Sequence, residues 1–477
     1  MRYPSLSHHG GHQTVTGSCH QLHLDAATSV LIDCGLAQGK DAATGKPSIA
    51  FDLSGIEALV LTHVHLDHVG RLPALFAAGY RGPILCSEPS AKLLPLVLED
   101  AYKLSISDDP AEVSRYLAFV QARLQPLPFD HWHAVIERPG LTCRVRLRRA
   151  GHLLGSAYVE CDVLESSSQQ SARIVFSGDL GANDSAVLRP VEPPERADLL
   201  VLESTYGDRV HGARGERRDA LEAIIDQALA DHGTVLIPAF SLGRTQELLF
   251  DLEDILHRKA LRQRGQAGPA DDPLRVLDWA QLPIILDAPL AQRITQVYRE
   301  LSAHWNVQAS QRLQAGRAPL GFEQLISIDS HAQHRQVVNY LNSTGKPAIV
   351  IAGNGMCSGG RIVAYLKAML GDPRHEVVFV GHQVQGTPGA VIRASAGAAG
   401  VVSVDLDGQL YEIRAKVCTV PGYSAHADQN GLVEFVTGMD RWPARIRLVH
   451  GDPPARHALA ARLREVYAKK ALAVEIE

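Results

Sequence analysis

His63-Val64-His65-Leu66-Asp67-His68 places three imidazoles and a carboxylate within six residues, directly after the apolar run Ala58-Leu59-Val60-Leu61. An apolar run of that length, closed by a polar turn, reads as a buried strand. Imidazole nitrogens and carboxylate oxygens are good ligands for zinc. His63 and His65 stand two apart in extended chain, so both can aim at one ion. Asp67 and His68, in the turn beyond, can aim at a second ion beside it. A solvated polar turn is the bland alternative, and the position at the mouth of a buried strand argues against it.

Working outward, other apolar runs also finish on a polar residue. Val30-Leu31-Ile32 ends at Asp33, Ile174-Val175-Phe176 leads to Gly178-Asp179, Leu199 to Leu202 ends at Glu203, and Ile446 to Val449 ends at His450. His152 lies in Ala150-Gly151-His152-Leu153-Leu154-Gly155-Ser156, where the glycines let the backbone turn sharply. Strand ends are where α/β-type folds gather their chemistry, because side chains there converge on one edge of a rigid sheet. Taken singly, a histidine or aspartate at a strand end is more often structural. Together with the first cluster, these residues complete a set for two metals, with Asp179 placed to bridge them. Asp33 suits a supporting role, orienting a ligand histidine by hydrogen bonding.

The rest of the chain organises around this set. Residues 87 to 125 read as helices covering a sheet face. From about 209 the texture changes to strands alternating with helices: a helix from Arg214 to Ala230, a strand from Thr234, a helix near Thr245, a polar loop from about Arg262 to Asp272, then further alternation to Glu376–Val380. That alternation predicts a parallel sheet covered on both faces, hence a separate α/β domain. After about 400 the pattern is β-like again, and Ala455 to Lys470 closes the chain as a helix. The expected division is 1–208, 209–400 and 401–477, with the outer two segments forming one domain.

A length of 477 residues agrees with two or three compact units. The net charge of −5 gives no global sign of a nucleic-acid partner, so such a substrate has to be argued from the site. The seven cysteines are scattered without a Cys-x-x-Cys pair, which suits a reducing compartment. The N-terminus leads into His8, His9 and His12 rather than an apolar run, and no uninterrupted apolar stretch approaches the roughly 18 residues of a membrane span. A cytoplasmic protein with no membrane partner is expected.

These motifs resemble the metallo-β-lactamase superfamily and, within it, the β-CASP family of nucleic-acid hydrolases. Asp33, His63-x-His65-x-Asp67-His68, His152 and Asp179 match the superfamily motifs. Glu203 in Leu202-Glu203-Ser204-Thr205-Tyr206-Gly207, His426 in Gly422-Tyr423-Ser424-Ala425-His426, and His450 match the three motifs that mark the family. Pro238 to Glu247 and Gly355 to Arg361 resemble its signature phrases, and the resemblance runs from about residue 8 to 470.

The resemblance implies an αββα sandwich with an inserted β-CASP α/β cap domain. It implies two Zn2+ ions, with Mn2+ as the substitute: one held by His63, His65, His152 and Asp179, the other by Asp67, His68, Asp179 and His450. It also implies hydrolysis of RNA phosphodiester bonds, as endonuclease or 5′-exonuclease, by a water that the two metals activate. A histidine at 450 is typical of RNA-processing members, whereas DNA-processing members carry an aliphatic residue there.

Glu203 and His426 form the expected acid pair, and Asp67 is both ligand and catalytic candidate. Arg244, Arg361, Ser358 and His382 are candidates for binding single-stranded RNA, and a homodimer is the expected assembly. Arg244 and Arg361 lie in Gly-flanked turns and can clamp phosphates, with a structural salt bridge as the competing role. The chain departs from the family at Gly381-His382-Gln383, where Gly-Tyr-Gln is usual, and at His450-Gly451-Asp452, where His-Gly-Glu is usual. Neither departure removes a ligand. A DNA nuclease of the same family, an inactive RNA-processing scaffold and a small-molecule hydrolase are the competing readings.

Overall fold

The computed structural model describes the chain apart from residues 1–2, 42–46, 166–170, 183, 213–215, 265–278, 382 and 399. It packs as two units, one made of Met1–Val210 with Ala425–Glu477, the other of His211–Ser424.

Among the described residues, the first unit is built on two sheets. One runs in the order Ser5–Gly10, Cys19–His23, Ser29–Ile32, Ile56–Val60, Ile84–Ser87 and Leu124–Leu127. Its pairing is antiparallel up to Ser29–Ile32 and parallel thereafter. The other sheet orders Glu475–Ile476, Arg445–Val449, Leu199–Glu203, Ser171–Phe176, Ala157–Glu165, Leu141–Arg149 and Trp132–Arg138.

Side chains alternate across a strand, and the second sheet uses both faces. Val145, Val159, Ile174, Phe176 and Val201 pack inward against Val30, Ile32 and Val60 of the first sheet. Their neighbours Tyr158, Val175, Leu200 and Leu202 point outward onto Leu432 and Phe435 of helix Gln429–Thr437 and Leu459 and Leu463 of helix Pro453–Lys469. On the far side, helix Glu88–Ser105 packs on strands Ile84–Ser87 and Leu124–Leu127 of the first sheet. The layers therefore run helix, sheet, sheet, helix, the αββα sandwich expected from the sequence.

Helix Glu88–Ser105 also braces the site. Ser87 caps its N-terminus by accepting from the Ser90 amide at 3.2 Å, and Pro89 occupies the first turn, where its missing N–H costs nothing. The hydroxyls of Ser87 and Ser90 donate to the Gly155 carbonyl at 2.6 and 2.9 Å, which pins the loop that carries His152.

The second unit holds a parallel sheet in the order Leu325–Ser327, Ile284–Asp287, Ala348–Ala352, Thr234–Pro238, Glu376–Phe379 and Lys416–Thr419. Leu236, Val350, Ile362, Leu366 and Phe379 form part of its core. This unit runs past residue 400, where the sequence reading ended it, because Lys416–Thr419 pairs in parallel with Glu376–Phe379. Helix Arg244–Arg264 extends into the beginning of the expected loop at 262–272, and the remainder of that loop lies outside the described residues. The expected helix from Arg214 is present as Arg217–Ala230. No helix among the described residues is long and apolar enough to cross a membrane. All seven cysteines are free thiols.

Candidate metal centre

The strand mouths of the first unit place the sequence-derived residues against one another. Strand Ile56–Val60 delivers Thr62 and His63, His65 stands at the N-terminal boundary of the short helix Leu66–Val69, and that helix carries Asp67 and His68. Close backbone contact fixes the turn: a Cβ on Gly35 would stand 1.6 Å from the Asp67 carbonyl oxygen. Gly178, just before Asp179, has φ +52°, and a Cβ there would stand 2.7 Å from Thr62 Cβ.

Asp179 is buried, and its two oxygens face different groups. Oδ2 lies 3.5 Å from His63 Nε2 and 3.6 Å from His152 Nε2. Oδ1 lies 3.2 Å from His68 Nε2 and 3.0 Å from His450 Nε2. His65 Nδ1 stands 3.2 Å from His63 Nε2 and 3.1 Å from His152 Nε2. His450 Nε2 stands 3.8 Å from Asp67 Oδ2. Three groups result, His63 with His65, His152 and Asp179, Asp67 with His68 and His450, and Asp179 with Glu203 and His426. Within each group the donor atoms lie within 4.8 Å of one another.

The donor chemistry fits a metal. Burial pushes His63 and His152 well below the ordinary histidine range, and His65 down to about 4. Each ring is therefore neutral and keeps a lone pair for a cation. Burial opposes charge on His68 and His450 as well, but carboxylates raise both, those of Asp179 and Asp33 acting on His68 and those of Asp179 and Asp67 on His450. His68 Nε2 and Asp179 Oδ1 are buried without an aligned hydrogen bond, a rare condition that ligation would relieve.

The surrounding residues orient these donors. Asp33 Oδ2 lies 2.8 Å from His68 Nδ1, and Asp33 also accepts from the Thr62 amide at 2.8 Å and the Thr62 hydroxyl at 2.7 Å. That fixes the His68 ring with Nε2 toward Asp179. Ser156 Oγ accepts from the His152 amide at 3.0 Å, and His152 Nδ1 lies 3.2 Å from the Ala425 carbonyl. Glu203, fully buried, accepts from the Leu180 amide at 2.6 Å and faces His426 Nδ1 at 3.2 Å. His426 Nε2 lies 3.9 Å from Asp179 Oδ2.

The sequence reading missed Thr62, Ser156 and Gly35. Each adjoins a named ligand or Asp33, either along the chain or across a turn. The available signal was a small or hydroxyl residue at a strand mouth.

Residues 24–237 match the metallo-beta-lactamase superfamily, 245–392 the Beta-Casp domain, and 410–474 the Zn-dependent metallo-hydrolase RNA specificity domain. Ribonuclease TTHA0252 of Thermus thermophilus is 36% identical over 455 residues, which cover 95% of this chain and 94% of the relative. The chain belongs to the β-CASP family of the metallo-β-lactamase superfamily. It is therefore a hydrolase by family. Transcription termination factor FttA of Methanothermobacter thermautotrophicus is 28% identical over 96% of this chain and 68% of the relative. The same factor from Methanosarcina mazei is 27% identical over 95% and 67%.

Among the described residues, the β-CASP unit carries Arg244, Ser358 and Arg361 beyond the C-terminal ends of its parallel strands. Arg244 follows strand Thr234–Pro238, donates to the Val380 carbonyl at 3.2 Å and lies over the Phe240 ring. Ser358 is exposed on the loop after Ala348–Ala352. Arg361, on the same connection, pairs with buried Asp287 and donates to the Ile328 carbonyl at 2.8 Å. His382 lies outside the described residues. The run Arg144, Arg146, Arg148 and Arg149 lies on strand Leu141–Arg149, where Arg146 pairs with Glu160 at 2.5 Å and Arg148 with Asp130 at 2.7 Å. These pairs suit a structural role for Arg146 and Arg148.

Proposed function

We propose that this β-CASP hydrolase is a two-zinc ribonuclease that cleaves phosphodiester bonds of single-stranded RNA. The observation that carries the reading is Asp179: one buried carboxylate turns each oxygen to a separate group of histidines. His63, His65, His152 and Asp179 would hold one ion, and Asp67, His68, His450 and Asp179 the other, with manganese as the substitute metal. Bound there, the ions would supply Lewis acidity toward phosphoryl oxygens and a water acidified to near-neutral pH.

The chain's own residues supply the rest. Asp33 and Thr62 hold the His68 ring in register. Glu203 takes the Nδ1 side of His426 and leaves Nε2 facing the centre, where it serves as the acid that protonates the leaving oxygen. Arg244 and Ser358 are the proposed contacts to the RNA strand. The relative named a ribonuclease supports RNA as the substrate class.

The test is cleavage of an end-labelled single-stranded RNA beside DNA of the same sequence, with zinc, for wild type and Asp179→Ala. RNA cut by the wild type and spared by the variant supports the reading, and the product ladder separates endonuclease from exonuclease action. Faster cutting of DNA, or metal-loaded protein that cuts neither strand, would sink it.

A further inference from the structure

Behind the metal centre lies a cavity of about 10 Å³, the space of a single water. Ser18, His20, His68, Asp179 and His450 are among the residues that line it. A chain of hydrogen bonds leads to it from the surface, and its direction can be read. Arg447 only donates, and its Nη1 lies 3.3 Å from His8 Nε2, so that nitrogen accepts. A histidine ring whose Nε2 accepts is neutral and has its one N–H at Nδ1. His8 therefore carries its hydrogen on Nδ1 and donates to His20 Nδ1 at 2.7 Å. His20 then carries its hydrogen on Nε2 and donates to Ser18 Oγ at 3.1 Å. The serine hydroxyl keeps one hydrogen to give.

Across the cavity, His450 Nδ1 is buried without a hydrogen-bond partner among the described residues, while its Nε2 faces Asp179. A water in this space would have two donors to accept from, the Ser18 hydroxyl and His450 Nδ1, which is enough to hold it.

We propose that Ser18 and His20 hold one water in this cavity, and that this water orients His450 and sets the affinity of the metal position formed by Asp67, His68 and His450. Ser18 and His20 are thus positioning residues. The proposal rests on the two-zinc reading.

The test is titration of zinc-loaded protein with a competing chelator, for wild type, His20→Ala, His20→Gln and Ser18→Ala. In His20→Ala and Ser18→Ala, one of the two ions is expected to bind about 10–100-fold more weakly and the other as before. His20→Gln, which keeps a donor and an acceptor, should restore most of the loss. A wild type that holds fewer than two ions overturns the two-zinc reading itself. Two ions held by the wild type, with both affinities unchanged in His20→Ala and Ser18→Ala, overturn the water while sparing that reading. Ser18→Ala removes a single oxygen and guards against misfolding at position 20. A merely structural His20 would lower thermal stability without separating the two affinities.

Discussion

Asp179 serves both histidine groups, so its removal should act on both at once. Asp179→Ala is expected to abolish cleavage and to lower the zinc content of purified protein, read by elemental analysis. His426 gives the contrasting case, because its Nδ1 is turned to Glu203 and its Nε2 reaches Asp179 Oδ2 only at 3.9 Å. His426→Ala should lower kcat by about 10²–10⁴-fold, the range for loss of a general acid, with zinc content unchanged. Equal loss of zinc in His426→Ala would make that residue a ligand instead. The candidate donors were legible in the sequence because most follow a short apolar run, His152 stands between glycines, and all are chemically conspicuous. Their supports were less so. Thr62 becomes meaningful only when strand Ser29–Ile32 lies beside Ile56–Val60 and brings Asp33 to it.

Elements of the β-CASP unit allow two further tests. At the end of strand Ile284–Asp287, Asp287 accepts from Arg361, from the Tyr365 hydroxyl at 2.7 Å, and meets His334 Nδ1 at 2.6 Å. Asp287→Ala strands these groups around a buried site, and loss of about 3–5 kcal/mol is expected in urea unfolding. A loss within error would show that the cluster contributes little. In strand Glu376–Phe379 of the same sheet, Glu376 is 1% exposed, and burial raises its carboxyl above the ordinary value. With a raised folded value, the unfolded chain gives up its proton first, so stability falls as pH rises from the unfolded value through the folded one. Glu376→Gln should therefore raise the urea midpoint at pH 7, with the gap closing as the pH drops below the ordinary glutamate range. An equal gap at both pH values would contradict this. The long apolar strands were visible in the sequence because runs buried on both faces are continuous. Ser5–Gly10 and Cys19–His23 were not, because histidines and serines fill positions where an apolar signal was sought. Helix Gln429–Thr437 was also missed, being short and entered through a turn.

Across the whole molecule, all the proposed donors belong to the first unit. Stripping metal with a chelator should lower the unfolding temperature of that unit and leave the β-CASP unit unchanged. A ligand at 100 times its Kd adds about 2.7 kcal/mol, and scanning calorimetry would register its loss. A uniform shift of both transitions would contradict the assignment. The two-unit arrangement was legible from the change of texture near 209, whereas the return was not. Lys416–Thr419 looks like any short strand until its pairing with Glu376–Phe379 is seen. The return has a consequence in time. Strand Leu199–Glu203 pairs in parallel with Arg445–Val449, and His450 follows that late strand. A ribosome adding about 5–20 residues per second takes roughly 12–50 s to cross the interval. Throughout that wait the nascent chain lacks the last of its proposed donors, so a polypeptide abandoned midway is released with the candidate centre incomplete.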